Sequence, residues 1–345
     1  MRFTGPAARL ILAILLSATA AVAFEVEERK FYAANPARST LKIISTADLD
    51  VFDPFILAFQ SANPGIAVDY TVTGTSELMK AISQESAVFD VAISSAMDLQ
   101  TKLANDGFAQ IYKSSETSNL PDWATWRDQL FAFTQEPAVL VVSNAFFADG
   151  QAPKNRDELI ALLRENPERF MGRIGTYDVR SSGFGYLMAT QDSRNSEAFW
   201  RLMEVMGRLD AKLYCCSSDM IQDVASGKLA LAYNVLGSYA ATQLGTTNGF
   251  QIVELNDFVN VMLRTALIPA TAENTADARA MVDFLISQNG NGTLETPSLP
   301  AIDTAALQAN TALRPIRFGP GLLVFLDQLK RNNFLRSWEN SLVQE

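Results

Sequence analysis

The stretch Arg173–Met188, RIGTYDVRSSGFGYLM, decides how the chain is read. It begins as an apolar strand closing at Ile174, and Gly175 marks a bend or a close backbone approach. Thr176, Asp178, Arg180, Ser181 and Ser182 crowd the loop that follows. Gly183 and Gly185 open a helix whose apolar positions are Phe184, Leu187 and Met188. A helix start leaves backbone N–H groups without partners and carries partial positive charge. Hydroxyls and an arginine beside it make a cradle for an anionic or polar small ligand. The plainer account makes Ser181 or Ser182 an ordinary N-cap and pairs Arg180 with Asp178. The cradle gains weight because the same unit recurs along the chain.

Toward the N-terminus, Leu41–Ile44 reads as an apolar strand that runs into Ser45-Thr46-Ala47-Asp48. Phe52, Phe55, Ile56 and Phe59 then fall on one helical stripe. Asn63-Pro64-Gly65 stops that helix. Ile66, Val68, Tyr70 and Val72 alternate as a second strand, followed by Thr73-Gly74-Thr75-Ser76 and a helix marked by Leu78, Met79 and Ile82. Val88–Ile93 is a third strand, ending in Ser94-Ser95-Ala96, and a helix follows to Gly107. Three strand–helix units in succession imply a parallel sheet with right-handed crossovers. Ligands of such sheets bind beyond the carboxyl ends of the strands, where these hydroxyl-rich loops would lie. Each loop taken alone is also what a helix cap requires.

Toward the C-terminus the pattern continues. Pro121–Phe133, with Trp123 and Trp126, reads as a connector, and Ala138–Val142 opens a second lobe. Arg156–Arg164 precedes the quoted stretch as a helix, and an amphipathic helix with Phe199, Trp200, Met203 and Met206 comes after it. A short helix at Asp219–Ser226 leads to the strand Leu229–Ala232, which runs into YNVLGSY at Tyr233–Tyr239. Val261–Ile268 is apolar and extended, Ala276–Ser287 is a helix, and the last helices carry Leu322, Phe325, Phe334 and Trp338. Residues 24–39 are charged and irregular and read as a flexible leader.

The 345 residues suffice for two domains, and 48% hydrophobic with 19% charged residues describes a globular chain. Arg2, Arg9, the apolar run Leu10–Leu16 and Ala21-Val22-Ala23 form a targeting segment, residues 1–23, with the mature chain expected to begin near Phe24. No cysteine stands at that point to carry a lipid, and the expected compartment is the periplasm, in soluble form. The net charge of −10 becomes more negative once Arg2 and Arg9 are removed, which argues against nucleic acid and anionic membranes as partners. The chain contains no histidine, so Ser-His-Asp and Cys-His catalysis and histidine metal sites are out of reach. Cys215 and Cys216 are neighbours, closer in the chain than ordinary disulfide geometry allows. They read as two small buried thiols, with a bond between neighbours as the alternative in an oxidising compartment. There is no Gly-x-Ser-x-Gly elbow and no phosphate-binding glycine loop ending in lysine. Asp48, Asp50 and Asp178 read as caps and solvated loop residues. The chain is therefore expected to bind rather than catalyse, without a cofactor.

The segments LKIISTADLDVFDPFILAFQSANPGIAVDY, FDVAISSAMDLQTKLANDGF, GRIGTYDVRSSGFGYLM, GKLALAYNVLGSYA and LRTALIPATAENTADARAMVDFLIS together resemble a known family. They resemble the periplasmic solute-binding proteins of ABC importers, in the ferric-ion-binding-protein-like branch of the type II fold. The resemblance runs from about Leu41 to the C-terminus. It implies two α/β lobes, each a mixed, mostly parallel sheet flanked by helices. A two-strand hinge near Gln135 and Leu263 would join them, with the ligand enclosed between. Residues 40–134, with a return at about 258–305, would form the first lobe. Residues 135–257 would form the second, with helices of about 306–345 packed on it. Ser45, Thr46, Asp48, Thr75, Ser76, Ser94 and Ser95 would line one edge of the cleft. Tyr177, Arg180, Ser181, Ser182, Asn234, Ser238 and Tyr239 would face them. The resemblance also implies delivery to an inner-membrane ABC permease, or to a sensor histidine kinase if the protein reports its ligand state, with the protein acting as a monomer.

Iron-binding members use two adjacent tyrosines near the position of Tyr233–Tyr239. Here Asn234 and Val235 intervene, so an organic or oxyanionic solute is expected, with ferric ion as the alternative. Arg180 and the helix start at Ser181–Gly185 give that solute a sign, a carboxylate or phosphorylated anion. The competing account pairs Arg180 with Asp178 and leaves Asp48 and Glu77 to receive a cation.

Overall fold

A computed structural model describes residues 23–148, 150–291 and 299–344. Residues 1–22 of the expected targeting segment lie outside the described residues. The first part of the chain runs β1 (Glu28–Tyr32), β2 (Ser39–Ser45), α1 (Leu49–Ala62), β3 (Ile66–Val72), α2 (Thr75–Ser83), β4 (Val91–Ser94) and α3 (Met97–Asn105). A short α4 (Ser115–Ser118) leads to β5 (Thr125–Trp126) and β6 (Leu130–Ala132). The second part runs β7 (Glu136–Ser143), α5 (Arg156–Glu165), α6 (Pro167–Phe170), β8 (Ile174–Tyr177), α7 (Gly183–Asn195), α8 (Ala198–Arg208), β9 (Lys212–Tyr214), α9 (Ser217–Ala225), β10 (Leu231–Leu236), α10 (Gly237–Leu244) and β11 (Phe250–Val253). Then come β12 (Val259–Met262), β13 (Thr265–Leu267), α11 (Thr275–Asn291), α12 (Thr304–Ala309), β14 (Leu313–Pro315) and α13 (Gln328–Leu342).

Among the described residues the strands form two seven-stranded sheets. In the first, the order is β1-β3-β2-β4-β13-β6-β5. Its centre is parallel, with Ile43 of β2 opposite Tyr70 of β3 and Val91 of β4. Leu41, Ile43 and Ile44 are wholly buried, as expected of a strand covered by helices on both faces. The α1 stripe makes that cover: Phe52 stacks on Tyr70 at 5.2 Å, and Phe59 meets Phe284 of α11 edge-on at 5.5 Å. In the second sheet the order is β14-β12-β7-β10-β8-β9, with β11 also paired to β7. There β8 is parallel to β10 and β9, whereas β7 is antiparallel to β10, β11 and β12. Both lobes are thus mixed sheets flanked by helices.

Among the described residues the chain crosses between the sheets three times, from β6 to β7, from β12 to β13 and, after α11 and α12, from β13 to β14. The extended run expected at Val261–Ile268 is therefore two strands in different sheets, joined by Leu263 and Arg264. Glu136 and Arg264, one on each of the first two crossings, form a wholly buried ion pair at 2.9 Å. Thr134 and Ser238 hydroxyls also donate to the Glu136 carboxylate.

Two expectations need correction. Residues 24–39 are not a loose leader, because β1 pairs antiparallel with β3 over Glu28–Tyr32. Its charge disguised it: charged side chains are how an exposed edge strand avoids pairing with other chains. The first of the expected final helices is a run of 3₁₀ turns at Pro320–Leu326, in which only Leu322 is buried. After it, α13 buries Phe334, Trp338 and Leu342, with Phe334 against Tyr186 of α7 and Phe199 of α8. No helix among the described residues is long and apolar enough to cross a membrane.

Candidate functional site: the cleft between the sheets

The loops after β2, β3 and β4 meet the loop after β8 and the start of α9 around a cleft of about 380 Å³. Asp48 is its centre. It occupies the N-cap position of α1 but makes no cap bond, so the carboxylate is available to the cleft. Its Oδ2 accepts from the Ser218 hydroxyl at 2.8 Å, and its backbone N–H donates to the Tyr239 hydroxyl at 3.1 Å. Both partners belong to the opposite lobe. Burial raises the Asp48 carboxyl above the ordinary range, against the lowering effects of Ser218 and the Arg264 charge behind the cleft floor.

Further bonds cross the cleft. Thr75 Oγ1 accepts from the backbone N–H groups of Gly183 at 2.8 Å and Phe184 at 3.3 Å. The Ser76 hydroxyl donates to the Ser181 carbonyl at 2.9 Å. The α7 start is tight, since a Cβ on Gly183 would stand 2.8 Å from Thr75 Oγ1. The two lobes are therefore closed on one another. Ser182 is the N-cap of α7, accepting from Gly185 N–H at 3.1 Å. Thr46 braces its own wall, accepting from Ser95 N–H at 3.2 Å. Tyr177 is hydrogen-bonded to Ser217 and packs edge-on against Phe184 at 5.2 Å, forming an aromatic wall with Tyr239.

Of the residues expected here, Thr46, Asp48, Thr75, Ser76, Ser95, Tyr177, Arg180, Ser181, Ser182 and Tyr239 line the cleft. Ser45, Ser94, Asn234 and Ser238 are not among its lining residues. The Ser45 and Ser94 hydroxyls turn back to cap their own loops, accepting from Ala47 and Ala96 N–H. Ser238 is engaged by Glu136 at the crossing strands. Asn234 sits where the pairing of β10 with β7 slips between Ala232 and Val235, with φ +64°. A bulge re-aims side chains. Here Asn234 Nδ2 donates to Asp192 at 2.7 Å inside the second lobe. Tyr233 is held in the same place, donating to Asp192 at 2.7 Å and accepting from Arg156 at 2.7 Å. Its hydroxyl is thus kept from any ion in the cleft.

Arg180 does not present a free fork to the cleft. Its Nε and Nη2 each donate to the Asp178 carboxylate at 2.8 Å, which also holds the Asp178 pKa below the ordinary range. The acids outnumber it. Glu25, Glu27, Asp48 and Glu77 all line the cleft. Glu25 and Glu27 were missed because they precede β1 in the stretch read as a leader. That segment folds over the cleft edge: Glu27 N–H donates to the Val72 carbonyl, and Glu25 N–H to Glu77 at 3.0 Å. Burial, with Asp48 and Glu25 nearby, raises the Glu27 carboxyl.

Cys215 and Cys216 also stand at the cleft and are joined by a disulfide between neighbours. The expectation of two buried thiols is corrected, since Cys215 is exposed. The loop between β9 and α9 has no core to shelter sulfur. Among the described residues the one metal-capable group of cysteines and acids is this pair with Asp219.

The profile of the bacterial extracellular solute-binding proteins matches residues 41–296. The substrate-binding protein of an ABC transporter from Agrobacterium tumefaciens is 34% identical over 91% of this chain and 98% of its own, with a TM-score of 0.85. The periplasmic binding protein AfuA from Actinobacillus pleuropneumoniae, with fructose-6-phosphate bound, has a TM-score of 0.69 at 14% identity, covering 89% of this chain and 99% of its own. Iron-bound HitA from Pseudomonas aeruginosa has a TM-score of 0.64 at 16% identity, covering 88% and 99%. At such identities these two show the shared fold alone. No curated protein matches the chain in sequence. A ligand-sized cleft between two mixed sheets, a profile match over most of the chain and a one-third-identical relative agree that the chain belongs to the bacterial extracellular solute-binding proteins.

Proposed function

We propose that the chain is the periplasmic substrate-binding protein of an ABC importer, and that its solute carries a cationic group. The first half rests on the Agrobacterium relative and on the targeting pattern of the first residues. The second rests on one observation: four carboxylates line the cleft against a single guanidinium that Asp178 already grips in two-point fashion. The anion expected from the loop chemistry would need Arg180 and the α7 N–H groups. Asp178, Thr75 and the Ser182 cap engage them instead. A cation finds complementary partners in Asp48 and Glu27, neighbouring carboxylates that repel one another until a positive charge enters. The Tyr177, Phe184 and Tyr239 rings add faces that attract a desolvated ammonium group. Hydroxyls of Thr46, Ser95 and Ser218 suit the polar remainder of the solute.

Calorimetric titration of a diamine, a quaternary ammonium compound and a basic amino acid, beside an organophosphate and a dicarboxylate, tests the sign of the ligand. A cation should bind, and Asp48→Asn should cost about 2–5 kcal/mol of its affinity while leaving the melting temperature close to wild type. Acidification should also weaken it, because Asp48 and Glu27 take up protons at higher pH than ordinary carboxyls. Binding of the anions alone, abolished by Arg180→Ala, would overturn the reading.

A further inference from the structure

Away from the cleft, a second concavity of about 540 Å³ opens where α7 ends. Arg194, in the last turn of α7, lies on one wall. Arg314 and Arg317, from β14 and just beyond, line it too. Arg314 stands opposite Asn260 in the parallel pairing of β14 with β12. Neighbours in register project to the same face of a sheet, which places the guanidinium-bearing side chain beside the buried Asn260 that forms the floor. Asn260 is fixed there, accepting from Asn195 at 2.8 Å and donating to Asp192 at 2.7 Å. Trp123 of the first lobe supplies an aromatic wall, its carbonyl accepting from Phe318 N–H at 3.2 Å. The Arg194 guanidinium lies over Gly321, where a Cβ would stand 3.8 Å from Nη2.

The charge of this concavity opposes that of the molecule. The chain has a net charge of −10, yet none of the described residues lining the concavity is acidic. The ion pairs of the described residues engage Arg29, Arg156, Arg180, Arg201 and Arg264, but none of these three. Three like charges in one recess repel, and low-dielectric walls focus their field into it. Guanidinium groups match carboxylate and phosphoryl oxygens in two-point fashion. We propose that this concavity is a second binding site, for a small polyanion bearing phosphoryl or carboxylate groups. A recess enclosed by a helix end, a strand and an indole suits a small molecule better than the acidic face of a protein, which favours flatter surfaces. The site is distinct from the cleft: α7 has 13 residues and spans roughly 20 Å between the two.

The test is calorimetry and thermal melting of the purified chain at low ionic strength with pyrophosphate and with citrate. One-site binding is expected for at least one of them, with a rise in melting temperature. Arg314→Gln should weaken it about tenfold, and the Arg314→Gln/Arg317→Gln pair further, while Asp48→Asn in the cleft should leave it unchanged. Should the paired variant fold poorly, Arg194→Gln on the exposed end of α7 makes the same comparison. Absence of saturable binding to both probes at millimolar concentration would overturn the proposal. So would undiminished binding in the arginine variants, or loss of binding in Asp48→Asn, which would move the anion into the cleft.

Discussion

At the scale of single residues, Asp98 is the group most out of place. It lies in the first turn of α3 and is buried, with Leu99 N–H donating to its carboxylate at 2.9 Å. Burial pushes its carboxyl up to about 7, against a lowering contribution from Arg331, and Tyr186 also senses its charge. The folded state therefore holds a proton that the unfolded chain releases near the ordinary carboxylate range. Stability from this group is full below that range and is lost as pH rises toward 7. Melting temperature should fall between about pH 4 and pH 7, and Asp98→Asn should flatten that fall by keeping the side chain neutral throughout. An equally steep fall in the variant would assign the pH dependence to other groups.

At the scale of elements, the β10 bulge turns two polar side chains into a single buried network around Asp192. That carboxylate accepts from Arg156, Tyr233, Asn234 and Asn260, joining α5, α7, β10 and β12. Asp192 is wholly buried and Arg156 nearly so. Removing the acid leaves Arg156 with Asp257, a partner at the solvent edge. Asp192→Ala should therefore cost about 3–5 kcal/mol of stability, as expected when a buried charge pair loses one member. Denaturant unfolding measures it, and a loss below 1 kcal/mol, the range of surface pairs, would show that the network adds little. Solute affinity should be far less affected, because none of these residues lines the cleft.

At the scale of the whole molecule, the bonds from Thr75, Ser76 and Asp48 to the opposite lobe describe a closed form. They are few and only part-buried or exposed, whereas the Glu136–Arg264 pair at the crossing strands is fully buried. Opening should therefore break the former and leave the latter as a fixed pivot, a hinge motion between two rigid sheets. X-ray scattering should show the radius of gyration decreasing when saturating solute is added to ligand-free protein. An unchanged radius would mean that the lobes stay closed without solute.

The sequence by itself determined the alternation of strand and helix, because burial imposes a period that a local window displays. The stripe Phe52-Phe55-Ile56-Phe59 and the alternation of Ile66, Val68, Tyr70 and Val72 became α1 and β3. It also placed most hydroxyls of the cleft, since loops after parallel strands gather at one sheet edge. Only the tertiary structure decided which polar groups are free to meet a solute. Arg180 is taken by Asp178, the α7 start by Thr75 from the other lobe, and Asn234 by a bulge that reverses its direction. Glu25 and Glu27 reach the cleft because β1 pairs with a strand some forty residues away. Such outcomes depend on partners distant in the chain, and no local pattern carries them.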